Sequence, residues 1–177
     1  RLGRADHFAV VEQSNRSAGL RSIGDHGVAV GVDAHDIETG RCRRLAGLPV
    51  GQGARLLDVG SGGGLPGVVF AICCPEVDVS CVDTVAKKAA FIQQAAAALK
   101  LPNLHGIHAR VETLAGPFDV VSCRAFAALA DFTAWSRQAL APHAVWLAMK
   151  GRHPSDEIAA LPATVQVFHV EPLTVPG

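Results

Sequence analysis

Leu56–Gly67, read in one-letter code as LLDVGSGGGLPG, decides how this chain folds. The apolar run Arg55–Val59 has strand length and ends in four glycines within five residues, Gly60 to Gly64. An apolar segment of helical length, residues 66–74, follows at once, with Pro66 suited to its first turn. Strand, glycine turn and helix in direct succession form a cradle for a ligand, because a chain without Cβ atoms turns sharply and lets a ligand come close. Two ligand classes want this shape. A dinucleotide wants G-x-G-x-x-G with its pyrophosphate on the helix N-terminus, and Gly62, Gly64 and Gly67 fit that two residues late. S-adenosylmethionine wants an acid in the strand and then G-x-G-x-G, which Asp58, Gly60, Gly62 and Gly64 supply in register.

Outward from this stretch, strand-length runs keep alternating with helical ones. VDVSCV (77–82) reads as a strand. A helix over 84–100 has Thr84 as its cap and Val85, Ala89, Ile92, Ala96 and Leu99 as its apolar stripe. Residues 104–109 and 118–122 read as strands, 129–141 as a helix, 144–149 as a strand, 155–161 as a helix and 165–170 as a strand. This repetition predicts an α/β fold with a doubly wound, mostly parallel sheet over residues 55–177. Residues 1–54 are rich in Gly, Arg and Asp and hold no period for long. They read as an irregular N-terminal lid or extension, with one short helix expected over residues 6–15.

Composition narrows the function. The 177 residues are 49% hydrophobic and 18% charged, with a formal net charge of zero. One domain of that size buries roughly 70% of its unfolded surface, and such a composition is not that of a disordered chain. No apolar run reaches the ~18 residues of a membrane span, so no membrane partner is expected. Binding of nucleic acid through bulk positive charge is disfavoured. Five cysteines, with no C-x-x-C, suggest neither a disulfide framework nor a metal site and read as small apolar residues in a reducing compartment. The expected location is the cytoplasm.

Two acids extend the cradle. Asp83 ends the second strand, 23 residues after Gly60, where nucleoside-binding α/β folds set a carboxylate on the ribose hydroxyls. The competing reading makes it a helix cap. Glu112, in Arg110-Val111-Glu112, follows the third strand, where an adenine would lie. Three strand ends thus point to one crevice.

LLDVGSGGGLPG, VDTVAKKAAFI, RVE, FDVVSCRAFAAL and MKG, in this order and spacing, resemble the RsmG (GidB) methyltransferases. The resemblance runs from about Leu56 to Pro176. It implies a Rossmann-like class I S-adenosylmethionine-dependent methyltransferase fold. It also implies methyl transfer to N7 of one guanine in 16S ribosomal RNA, with the RNA or the small ribosomal subunit as partner; separately, the chain is expected to be a monomer. By the same resemblance Gly60 and Leu65 border the methionine part of the cofactor. Val111 and Glu112 match a dipeptide at the adenosine. Arg124, in SCRAF, lies in the cofactor pocket where the target base enters. Lys150, in MKG, reads either as a contact to RNA phosphate or as a solvated turn lysine. The N-terminal residues Asn15-Arg16-Ser17 and His35 to Thr39 are only distant echoes of family motifs, and a last strand is expected to be missing.

Methyl transfer from a sulfonium is an in-line displacement, and guanine N7 carries no proton, so no general base is required. Arg124 is then the catalytic candidate, holding guanine O6 or a phosphate; its plain reading is a salt bridge to Asp58 or Glu112. Three alternatives stay open: a small-molecule methyltransferase on the same core, a non-catalytic nucleotide-binding protein, and an NAD-dependent oxidoreductase. The last is disfavoured, because about 120 ordered residues leave no substrate domain.

Overall fold

Uninterrupted apolar runs along a strand, whose successive side chains point to opposite faces, demand cover on both sides of a sheet. The computed structural model describes residues 7–13, 52–151 and 153–172 and meets that demand. Its strands are β1 (His7–Gln13), β2 (Arg55–Val59), β3 (Asp78–Asp83), β4 (Leu104–His108), β5 (Phe118–Arg124), β6 (Leu140–Lys150) and β7 (Val165–Pro172). Between them lie α1 (Gly67–Cys73), α2 (Ala86–Leu99), α3 (Leu129–Ser136) and α4 (Ser155–Ala159). Leu56 of β2 enters one apolar cluster, with Phe70 of α1 and Ile92 of α2. Its neighbours Leu57 and Val59 enter the opposite cluster, with Leu129 and Phe132 of α3. Along β6, Val145 and Leu147 alternate with Trp146 and Ala148 in the same way.

The seven strands form one sheet in the order β4-β3-β2-β5-β6-β1-β7. The pairs from β4 to β6 are parallel, and β1 runs antiparallel to both its neighbours. This is the doubly wound, mostly parallel α/β sheet that the alternation predicts. From β2 the chain winds outward through β3 and β4 on one side and through β5 and β6 on the other. Sheets of this kind bind ligands beyond the strand carboxyl ends at that reversal.

Several local expectations change. The helix expected over residues 6–15 is the strand β1, pairing His7 with Lys150 through Glu12 with Val145. Between two strands its backbone groups find partners on both edges, which outweighs local propensity. Residues 7–13 thus belong to the sheet and not to a lid, and the other expectations for residues 1–54 lie outside the described residues apart from the turn at 52–54. The helix expected over 129–141 stops at Ser136 and tightens into a 3-10 turn, Arg137–Ala139. Thr133 and Ser136 bond back to Leu129 O and Phe132 O, at 2.9 and 2.6 Å, a pattern that bends helices. Val85 leaves the apolar stripe of α2, being extended and exposed ahead of the first turn. Cys73, Cys81 and Cys123 are free thiols as expected, whereas Cys74 is disulfide-bonded.

Candidate functional site

The glycine turn is tied to the end of β3. Gly60 N and Ser61 N donate to Val82 O at 2.9 and 3.2 Å, and Gly62 N donates to Asp83 Oδ2 at 3.1 Å. Gly60 has φ +65°, in the left-handed region, and a Cβ there would run into the Phe126 ring. Conformation and space both select glycine at this position.

Asp58 does not line the cleft described below, although the S-adenosylmethionine pattern counts it as the acid in the strand. Fully buried, it accepts hydrogen bonds from Gly67 N and from Ser122 Oγ, both at 3.0 Å. One carboxylate thereby joins β2 to the start of α1 and to β5. Burial pushes its pKa up to about 7, opposed by those two bonds and by the Arg124 charge. Gly67 is packed just as closely, since a Cβ there would meet Cys81 Sγ and Asp58. The third glycine of the dinucleotide-like pattern is thus explained by packing alone.

A cleft of about 690 Å³ opens at the strand carboxyl ends. Gly60 lines it after β2, Asp83 and Val85 after β3, Val111 and Glu112 after β4, and Ala125 and Phe126 after β5. Four of the residues singled out from sequence therefore converge: Gly60, Asp83, Val111 and Glu112. Gly62, Gly64, Leu65 and Arg124 are not among the lining residues.

Asp83 is buried, and both its oxygens are in use. Oδ2 holds Gly62 N and lies 3.5 Å from Lys88 Nζ, while Oδ1 accepts from Val85 N at 2.9 Å. This last bond replaces the cap expected of Thr84, for α2 has no side-chain cap. Glu112 is half-buried and pairs with Arg110 at 3.0 Å. Its own backbone N–H, then Arg110, hold its carboxyl below the ordinary value. Arg124 is exposed, and its Nε donates to Leu65 O at 3.4 Å. The salt bridge to Asp58 or Glu112 does not form: among the described residues no carboxylate lies within ion-pair distance of Arg124. Lys150 departs from both its readings, since it is largely buried and paired with Glu157 at 2.7 Å.

Two lining aromatics were not predicted as site residues. Phe126 meets Phe132 and Trp135 edge-to-face, with ring centres 6.4 and 6.0 Å apart. Its place two residues after Arg124 was the available signal. Trp135 gave none beyond being an exposed tryptophan on a helix. Among the described residues no group of His, Cys, Asp and Glu could hold a metal, and no helix is long and apolar enough to cross a membrane.

This geometry can be set beside known proteins. A relative from Acidovorax ebreus (strain TPSY), named ribosomal RNA small subunit methyltransferase G, is 87% identical over 135 residues, covering 76% of this chain and 60% of that protein. One of the same name from Acidovorax sp. (strain JS42) is 92% identical over 125 residues, covering 71% and 55%. The chain thus spans little more than half the length of the curated relatives it matches. Among solved structures, a coclaurine N-methyltransferase bound to N-methylheliamine and SAH has a TM-score of 0.51 at 17% identity, over 67% of this chain and 36% of that one. YjhP from E. coli has a TM-score of 0.50 at 21% identity, over 70% and 51%. At such identities these two speak for the fold alone. The family model described as GidB, rRNA small subunit methyltransferase G, matches residues 44–177. With three quarters of its length matched, the chain belongs to the rRNA small subunit methyltransferase G family.

Proposed function

We propose that this chain binds S-adenosylmethionine in the cleft and methylates N7 of a guanine in 16S ribosomal RNA. The observation that carries the reading is the convergence of Gly60, Asp83 and Glu112 at three neighbouring strand ends around one cleft. The residues present fit a nucleoside cofactor. Gly60 offers backbone alone to the cleft wall, the carboxylates of Asp83 and Glu112 offer acceptors for hydroxyl and amino groups, and the volume suits a ligand of that size. Asp83 would hold the ribose, Val111 and Glu112 the adenosine, and Gly60 and Leu65 the methionine part, with Gly62 and Gly64 shaping the turn. S-adenosylmethionine supplies, when bound, an electrophilic methyl group on a sulfonium.

The chain's own task is alignment. Guanine N7 attacks with a lone pair and releases no proton, so no side chain has to act as a base. Arg124, exposed and without an acid partner among the described residues, holds guanine O6 or a phosphate, and its planar fork sets the base in line. The names of the 87% and 92% identical relatives support the RNA substrate. A monomeric core over residues 55–177, with β1 added to its sheet and working in the cytoplasm, completes the reading.

The test is transfer of labelled methyl to small-subunit RNA, with the product nucleoside identified. Label in 7-methylguanosine from the wild type is expected. Arg124→Lys keeps charge but loses the fork, so S-adenosylhomocysteine should still bind while transfer falls strongly. Label on small molecules and never on RNA would replace the RNA substrate with a small one.

A further inference from the structure

The segment between β5 and α3 is held from behind at three points. Ala125 N donates to Met149 O at 3.3 Å. Lys150 Nζ donates to Ala127 O at 2.6 Å. Leu129 N, at the start of α3, donates to Glu157 Oε2 at 2.8 Å, and the same oxygen receives Lys150 Nζ at 2.7 Å. One ion pair therefore grips the backbone of the segment on both sides of Ala128. Within the grip, Ala125 sits at φ +49°, which a residue with a Cβ adopts only when its surroundings hold it there. The segment begins just after Arg124 and carries Phe126, whose ring covers Gly60 in the cleft.

From this we infer that Lys150 and Glu157 are positioning residues: through Ala127 O and Leu129 N they fix the segment that aims Arg124 and Phe126 at the reacting groups. The inference rests on the methyl-transfer reading above. A lysine with so little exposure needs a partner, and here each member of the pair also makes one hydrogen bond to the segment's backbone. Neither residue touches the cleft, so both act through the backbone they hold.

A reversed pair separates this role from simple stabilisation. In Lys150→Glu/Glu157→Lys the ion pair can re-form. Neither backbone bond re-forms in place, because a carboxylate at 150 does not donate to Ala127 O and an ammonium at 157 does not accept from Leu129 N; amide exchange at Leu129 reports whether the exchanged groups cross over to meet them. The measurements are melting temperature, S-adenosylhomocysteine affinity and the single-turnover rate of methyl transfer to small-subunit RNA. Lys150→Met is expected to slow transfer on the order of tenfold or more while cofactor affinity stays within about threefold. The reversed pair is expected to recover melting temperature and not rate. Recovery of both while the Leu129 amide exchanges as fast as in Lys150→Met, or an unchanged rate in Lys150→Met, would overturn the inference, whereas recovery of both with the Leu129 amide protected supports it. If the wild type transfers no methyl to RNA, the functional reading fails, and the clamp is then judged by amide hydrogen exchange. Faster exchange at Ala127–Leu129 in Lys150→Met than in the wild type, at matched global stability, supports it; equal protection there overturns it.

Discussion

Asp83 shows how a residue read correctly in place carries more than one role. The carboxylate at the cleft wall also holds the glycine turn through Gly62 N and the entry to α2 through Val85 N. Charge-assisted hydrogen bonds of ~1.5–3 kcal/mol are at stake. Asp83→Ala is therefore expected to weaken S-adenosylhomocysteine binding about tenfold or more by calorimetry, and wild-type affinity would remove its ribose role. The glycines divide by space. Gly67→Ala drives a methyl into Cys81 Sγ and Asp58 and should cost about 1–3 kcal/mol in urea unfolding, whereas Gly63→Ala, with open space at its Cβ, should stay within about 0.5 kcal/mol. The sequence showed that these glycines form a cradle. It could not show which of them face a ligand and which face packed side chains, because that depends on Phe126 and Cys81, far along the chain.

At the scale of elements, Asp58 fastens three pieces that the sequence lists far apart: β2, α1 and β5. Its pKa of about 7, raised by burial, makes that brace pH-dependent. Between about pH 4 and 7 the folded chain keeps a proton on Asp58 that the unfolded chain has released. Stability attributable to Asp58 therefore falls as pH rises through that window, by at most about 1.4 kcal/mol per unit, and is level outside it. Asp58→Asn lacks this titration. The stability of the wild type relative to Asp58→Asn is expected to decline from pH 4.5 to 7 and then flatten, as followed by urea unfolding. A flat difference across that range would show that the carboxyl titrates normally. The same scale shows what local pattern reads well. The central strands β2, β3 and β5 were legible from apolar runs, since burial on both faces leaves little room for polar residues. The end of α3 was not, because back-bonded Thr133 and Ser136 shorten a helix whose apolar pattern continues beyond it.

For the molecule as a whole, β1 marks the limit of local reading. Residues 7–13 pair with strands more than 130 positions away, and nothing within seven residues announces that. The cleft, by contrast, was foreseeable, because a doubly wound sheet has one reversal point and Gly60, Asp83 and Glu112 all fall at strand ends around it. On the proposed reading, with a formal net charge of zero, attraction of RNA would rest on local cations at the cleft, Lys88 and Arg110 on its wall and Arg124 beside it. On this reading the crevice is built for S-adenosylmethionine and not for a dinucleotide. Thermal unfolding with S-adenosylhomocysteine and, separately, with NAD tests it most directly. Ligand at 100 times its dissociation constant adds about 2.7 kcal/mol, which for a chain of this length raises the melting temperature by roughly 5–10 °C. That rise is expected with S-adenosylhomocysteine and no rise with NAD; a rise with NAD, or no rise with either ligand, would show that the crevice is not an S-adenosylmethionine site.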